Sequence, residues 1–64
     1  MPAHDSHLAP GAFVRLASEP DWGLGQVQSV SGTRVTVNFE EQGKVTLDLR
    51  HVRLELIAPP RPPR

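Results

Sequence analysis

The stretch Thr33-Arg34-Val35-Thr36-Val37-Asn38-Phe39 (TRVTVNF) decides the fold of this chain. It alternates apolar and polar residues with a period of two, and β-branched residues recur throughout it. Successive side chains of a β-strand point to opposite faces of a sheet, so Val35, Val37 and Phe39 share one face. The stretch therefore predicts a strand with one buried face and with Phe39 directed toward the core.

The same alternation recurs on both sides of this strand. It predicts four further strands, over residues 12–16, 24–30, 44–49 and 52–56. Between them, Ser31-Gly32 predicts a short turn, and Glu40-Glu41-Gln42-Gly43 predicts a four-residue hairpin loop that ends in glycine. A tight turn is expected at Arg50-His51. No window of the sequence shows a sustained helical periodicity, so the connections are expected to be short.

Strands of this kind must close on one another, because a small flat sheet cannot cover its own apolar side. The predicted fold class is therefore all-β: a small SH3/Tudor-like barrel of about five antiparallel strands. An OB-type barrel is less favoured because it usually needs a longer chain. The barrel is assigned to residues 10–58, between a flexible N-terminal arm (1–9) and a Pro/Arg-rich extended tail (59–64). Pro59 and Pro62 match the PxxP ligands of SH3 and WW domains, and a plain solvated tail is the alternative.

Size and composition exclude several classes of protein. A 64-residue chain forms one domain, with little material for an enclosed active site. It has no cysteine for disulfides or thiolate metal sites, and its seven basic and seven acidic residues balance. Proteins that bind nucleic acid through overall charge carry a basic surplus. No apolar run is long enough to span a membrane, and the N-terminus lacks the pattern of a secretory signal, so a cytoplasmic location is expected.

The segment Pro20-Asp21-Trp22-Gly23-Leu24-Gly25-Gln26-Val27 (PDWGLGQV) enters the second strand. Gly23 and Gly25 are interpreted as residues that adopt positive φ or admit the close approach of another backbone segment, with Gly25 as a bulge or bend. Trp22, the only tryptophan, then folds over the open end of the barrel. It is either a structural lid or a partly exposed anchor for a partner, and one indole can serve as both.

This segment carries a family resemblance. Gly11, Val14, Trp22, Gly23, Gly25, Val27 and Val30 resemble the pattern G-x-x-V-x-x-x-x-[FW]-G-x-G-x-V-x-x-V, with seven residues instead of four between Val14 and Trp22, and a strand ending in Phe39 comes next. The pattern resembles the Tudor-like C-terminal domain of UvrD/PcrA-type DNA helicases, which is implicated in contacting RNA polymerase. The chain is also similar to a family of short, stand-alone bacterial domains of unknown function. The resemblance implies a barrel that binds protein at the transcription or DNA-repair machinery, and it brings no catalytic residues.

Two sets of residues are candidates for contact with partners. The first set, predicted to bind a protein, is Trp22, Asp21 and Arg15. The second set, an alternative strip for nucleic acid or an acidic protein patch, is Arg50, Arg53, Arg61 and Arg64. Gly23, Gly25, Val27, Val35, Val37 and Phe39 are assigned structural roles.

Other kinds of site are not favoured by the sequence. A methyl-lysine cage needs several aromatic walls, and the chain offers only Phe13, Trp22 and Phe39. The glycine pair lacks the helix and the lysine of a phosphate loop. His4 and His7 lie in the arm without further ligands, and His51 is expected to be a polar surface residue. No catalytic residues, metal or cofactor are assigned.

Three functions remain open at this point. The leading hypothesis is a non-enzymatic protein-interaction module whose partner is RNA polymerase or a repair factor. The second is a weak nucleic-acid-binding domain that uses the arginine-bearing face. The third is a self-associating structural protein, since exposed edge strands favour a homodimer.

Overall fold

The computed structural model of the chain describes residues 8–60. Its elements, in chain order, are β1 (Phe13–Leu16), a 3-10 helix (Pro20–Trp22), β2 (Gly25–Ser31), β3 (Arg34–Phe39), β4 (Gly43–Asp48) and β5 (Leu54–Ala58). The five strands form one antiparallel sheet in the order β4-β3-β2-β1-β5. The prediction of an all-β fold of five antiparallel strands is confirmed. The last strand returns to pair with the first, and β4 and β5 form the two edges of the sheet.

The observed strands begin and end within one or two residues of their predicted bounds, and the turns between them account for the differences. Ser31 pairs with Arg34, so the turn consists of Gly32 and Thr33, and Gly32 has φ 61°. Gly43 pairs with Phe39 and has φ 85°, so it belongs to β4 and shortens the predicted hairpin loop to three residues. In both turns glycine supplies the positive φ that other residues avoid. The short 3-10 helix was not predicted, because three residues are too few to show a period.

The core lies on one face of the sheet. Val14 and Leu16 of β1, Val27 of β2, and Val35, Val37 and Phe39 of β3 are buried, together with Leu8 and Ala12. Half-buried apolar residues of the other segments pack around this cluster: Trp22, Val45, Leu47, Leu49, Val52 and Leu54. No second layer covers this face within residues 8–60, so the sheet must curl around its own side chains. Leu8, which the sequence assigns to the arm, is part of this core.

Two irregularities bend the sheet. The pairing of β2 with β3 shifts between Val27 and Ser29, which leaves Gln28 as the extra residue. The pairing of β1 with β5 shifts between Phe13 and Val14, which pair with Ala58 and Leu56 and leave Ile57 extra. An extra residue in one strand increases the local twist and bends the strand. These bulges let so short a sheet curl.

Gly25 is not a bulge, and that prediction is wrong. It pairs regularly with Val14 of β1 and with Phe39 of β3, and its φ is not positive. A Cβ atom at this position would lie 2.6 Å from Cγ1 of Val37 and 2.8 Å from the ring of Phe39. The position therefore requires glycine because two core side chains of β3 fill the space. Gly23, by contrast, has the expected positive φ of 79°.

Candidate protein-interaction surfaces

Trp22 is held in place by backbone hydrogen bonds on both sides. The 3-10 helix begins with Pro20, and the amide of Trp22 donates to the carbonyl of Glu19 at 3.0 Å. The amide of Glu41 donates to the carbonyl of Trp22 at 3.0 Å and joins the β3–β4 loop to the helix. The indole is half-buried and meets Phe39 edge to face, with ring centroids 5.3 Å apart and planes at 67°. Trp22 thus packs against the core and keeps part of its ring in contact with solvent.

The surroundings of Trp22 are acidic. The 3-10 helix carries Asp21 and follows Glu19, and the adjoining β3–β4 loop carries Glu40 and Glu41, all four of them exposed. Glu40 also braces the entry to β2, since its Oε1 accepts a hydrogen bond of 3.2 Å from the amide of Leu24. Only two of the three predicted protein-binding residues, Trp22 and Asp21, lie together. Arg15 is exposed on β1 and pairs in register with Glu55 of β5.

The three aromatic rings do not converge. Phe39 belongs to the core face, whereas Phe13 lies on the outward face of β1, between buried Ala12 and Val14. Trp22 contacts Phe39. Trp22 and Phe39 therefore belong to the core and its cover, whereas Phe13 belongs to the outer surface of β1.

An apolar surface surrounds Phe13, and we call it the Phe13 surface: Phe13, Leu24, Ile57, Ala58 and Pro59. Two concavities adjoin the Phe13 ring, one of 340 Å³ toward Pro10 and Pro60 and one of 240 Å³ toward Leu24 and Ile57. Ile57, which lines the second of these concavities, is 48% exposed. The chain therefore presents a contiguous apolar surface beside its last strand.

Sequence reasoning missed this surface. Strict alternation along residues 52–56 predicts that Leu56 faces inward with Val52 and Leu54. Leu56 does pair in register with the buried Val14, whereas the extra residue Ile57 follows it and is 48% exposed. One signal was available: the apolar run continues through Ile57-Ala58-Pro59, past the expected end of the strand.

Two of the four arginines of the alternative site lie within the described residues. Arg50 and Arg53 are exposed, as predicted, and Arg61 and Arg64 lie outside the described residues. Arg50 is committed to Asp48: its Nη2 donates to Oδ2 at 2.8 Å, its Nε donates to the same carboxylate, and its backbone amide donates to Oδ1 at 2.9 Å. The carbonyl of Asp48 also accepts from the amides of His51 and Val52, which forms the predicted turn. The charge of Arg50 is therefore largely neutralised by its neighbour.

The Asp48–Arg50 pair gives the fold a pH dependence. The hydrogen bonds from the Arg50 guanidinium, and then the one from its backbone amide, hold the pKa of Asp48 well below its usual range. A carboxyl group with a depressed folded-state pKa stabilises the fold above its unfolded value of about 4, and this contribution disappears as the pH falls through the folded pKa. We expect Asp48→Asn to lower the melting temperature at pH 7, and the difference from wild type to shrink on acidification below pH ~4.

Thermal unfolding followed by circular dichroism at pH 7 and at pH 2 measures this difference. Glu19→Gln is the control, since Glu19 makes no side-chain cap to the 3-10 helix and lies outside the turn. A deficit of Asp48→Asn that persists unchanged at low pH would show that the ion pair does not account for it.

The described residues show neither a metal site nor a membrane span. Within residues 8–60, no three His, Asp or Glu side chains are grouped as ligands for a metal ion. His51 lies exposed on the turn, as expected, and His4 and His7 fall outside this range. None of the described segments forms a helix long and apolar enough to cross a bilayer.

Comparison with known proteins identified one family. The model of a family described as "Protein of unknown function (DUF3553)" matches residues 8–57. This span begins at the buried Leu8 and ends at the exposed Ile57, so it includes the core and most of β5. Comparisons with curated proteins and with solved structures gave no match.

Proposed function

Since the chain belongs to the DUF3553 family of proteins of unknown function, we propose a function from its own surface: it is a non-enzymatic protein-interaction module that docks through the Phe13 surface. The observation that carries this proposal is the exposure of Ile57 in a concavity that Phe13, Leu24, Ala58 and Pro59 also line. Contiguous exposed apolar patches on small proteins mark interaction sites.

The arrangement of polar groups around the patch supports the same proposal. Arg15 and Glu55 are paired in register on β1 and β5, on the outward face that also carries Phe13. Gln26 pairs with Phe13 across β1 and β2 and is exposed. An apolar centre with a polar rim is the usual organisation of a protein–protein interface. Arg15, predicted from sequence as a contact residue, is part of this rim.

The proposal of a non-enzymatic role rests on the location of the Asp48–Arg50 ion pair. The pKa of Asp48 is displaced by Arg50, but both side chains are on a surface turn, and Arg50 is 67% exposed. Displaced pKa values point to catalysis when they occur in a cleft with other reactive groups. On an open turn, the same displacement reflects a structural ion pair.

We propose the transcription or DNA-repair machinery as the setting, with RNA polymerase or a repair factor as the partner. The support for this choice is the resemblance of the Trp22-Gly23-Leu24-Gly25-Gln26-Val27 segment to the Tudor-like C-terminal domain of UvrD/PcrA-type helicases. Leu24 of that segment belongs to the Phe13 surface. Trp22 and Asp21 precede it and are proposed as a second, acidic part of the contact.

Binding to purified bacterial RNA polymerase core enzyme tests the proposal. Ile57→Asp places a charge on an exposed position and is expected to weaken binding at least tenfold, because a desolvated carboxylate would face the partner. Val30→Asp is the matched control, since Val30 is an exposed aliphatic residue on β2 (38%) outside the Phe13 surface. Trp22→Ala is expected to weaken binding as well if the indole contributes to the contact.

The possible outcomes test the binding surface and the identity of the partner separately. Binding by wild type and by Val30→Asp, with loss in Ile57→Asp, supports both proposals. Equal losses in the two aspartate variants would contradict the Phe13 surface. Absence of polymerase binding contradicts the partner, and affinity capture from native lysate with the same three proteins then shows whether any protein depends on Ile57.

Self-association is a second candidate that one observation favours. β5 lies at the edge of the sheet and carries the exposed Leu56 and Ile57, and unpaired sheet edges readily join a second chain. Pro59 follows at the end of the strand and limits such pairing, since proline cannot donate a backbone hydrogen bond. Sedimentation of wild type and Ile57→Asp distinguishes the two: a monomer at high concentration excludes the dimer. Nucleic-acid binding remains a prediction that the pairing of Arg50 with Asp48 does not favour.

A further inference from the structure

A second groove lies on the barrel and shares no residue with the Phe13 surface. It has a volume of 410 Å³ and is lined by Leu8, Leu49, Val52, Arg53 and Leu54. Its walls are formed by the turn after β4, by the start of β5 and by Leu8 from the N-terminal side. Leu8 is buried, and the other three aliphatic side chains are half-buried and packed on the core. The walls are therefore fixed by the fold.

The groove carries one available cation. Arg53 is exposed, and among residues 8–60 no carboxylate lies within salt-bridge distance of its guanidinium. The acidic residue nearest in sequence on the turn side, Asp48, is already bonded by Arg50 through two nitrogen atoms of its side chain. Glu55 pairs in register with Arg15 on the outward face of the sheet. Arg53 is thus the charged side chain among the residues that line the groove, in a chain whose formal net charge is zero.

We propose that this groove docks an extended protein segment in which an acidic side chain stands next to a large aliphatic one. The aliphatic side chain would occupy the space between Leu8, Leu49 and Val52, where burial of apolar surface is favourable. The neighbouring carboxylate would meet Arg53, whose planar guanidinium offers paired donors to a carboxylate. The charge complementarity at Arg53 selects an acidic partner, and the aliphatic walls select an apolar side chain beside the acid.

Nucleic acid fits the same groove less well. Its walls contain no aromatic side chain on which a base could stack, and binding to single strands depends on such stacking. One unpaired arginine neutralises one phosphate, whereas nucleic-acid binding usually rests on several such contacts. The groove is therefore assigned to a protein segment.

Backbone amide NMR of the full chain tests this assignment. The probe is a blocked five-residue peptide of alternating leucine and glutamate, and a second peptide with glutamine in place of glutamate removes only the charge. The acidic peptide is expected to shift the amides of Leu8, Leu49, Val52, Arg53 and Leu54. Arg53→Glu is expected to weaken its binding at least tenfold, while Arg53→Lys retains most of it. Arg15→Glu is the matched control, since it makes the same charge change at an exposed arginine outside the groove.

Several results would overturn the assignment. The first is equal binding of the glutamine peptide, because charge would then play no part. The second is an equal loss of affinity in Arg15→Glu, which would indicate attraction to overall charge. The third is tighter binding of a ten-nucleotide thymidine strand at the same amides. Shifts confined to the Phe13 surface would also overturn it, while leaving the proposal for that surface standing.

Discussion

Replacing Phe39 by alanine is expected to unfold most of the protein at 25 °C. Phe39 is 2% exposed, is the largest of the fully buried side chains, and supports Trp22 through the edge-to-face contact at 5.3 Å. Removal of a buried phenylalanine costs about 3–5 kcal/mol. A core of this size supplies only about 3–5 kcal/mol of net stability. The loss is therefore comparable with the whole free energy of unfolding, and urea unfolding followed by circular dichroism measures it.

Phe13→Ala is the matched control for this prediction. It removes the same side chain from a half-buried position on the outward face of β1, where no core cavity is created. We expect it to cost a fraction of the Phe39 value, roughly 1 kcal/mol, since destabilisation follows the cavity left behind. Comparable losses in the two variants would mean that the core does not depend on Phe39 in the way described.

Gly25→Ala is expected to have the second-largest effect, although it adds a single methyl group. The new Cβ would lie 2.6 Å from Val37 and 2.8 Å from Phe39, distances that real side chains do not tolerate. Both neighbours are core residues, with exposures of 0% and 2%, so neither can move into solvent. Overpacking of a well-filled core costs about 1–3 kcal/mol. Urea unfolding is expected to show a loss at the upper end of this range.

Gly32→Ala is the control that distinguishes the destabilising effect of side-chain crowding from that of backbone strain. Gly32 has a positive φ of 61°, and a Cβ there would meet nothing within 4 Å. Its substitution by alanine is expected to cost about 1 kcal/mol, from the backbone alone. If Gly25→Ala is no more destabilising than Gly32→Ala, the close approach of Val37 and Phe39 is not what requires glycine at position 25.

Much of the fold could be predicted from local pattern. The alternation along β3 correctly placed Val35, Val37 and Phe39 inside, and Arg50 and Arg53, assigned from sequence to a contact strip, are exposed. The glycine turn at Gly32 and the turn at Arg50-His51 are also confirmed. These features depend on backbone conformation and on neighbours within a few residues, so the sequence carries them directly.

The candidate surfaces were predicted much less well. The sequence indicated Trp22 and Asp21 for the contact, and the structure shows that Trp22 also closes the core against Phe39. Ile57, which is exposed on the Phe13 surface, is the extra residue of a bulge, and it is extra only relative to the pairing of β5 with β1. Arg50 was predicted to contact a partner, but the turn after β4 brings its guanidinium into an ion pair with Asp48.

By itself, the sequence determined that this chain is a small all-β domain, which strands it forms and which side chains it buries. The period of two in side-chain direction is a property of each strand, and it does not depend on which other strand that strand pairs with. The tertiary structure alone decided that Gly25 lies against Val37 and Phe39, that Ile57 is the extra residue of a bulge and is exposed, and that Arg53 has no carboxylate partner within residues 8–60 beside its groove. Each of these depends on distances between residues far apart in the chain, and such distances are fixed only when the strands pair and the sheet curls.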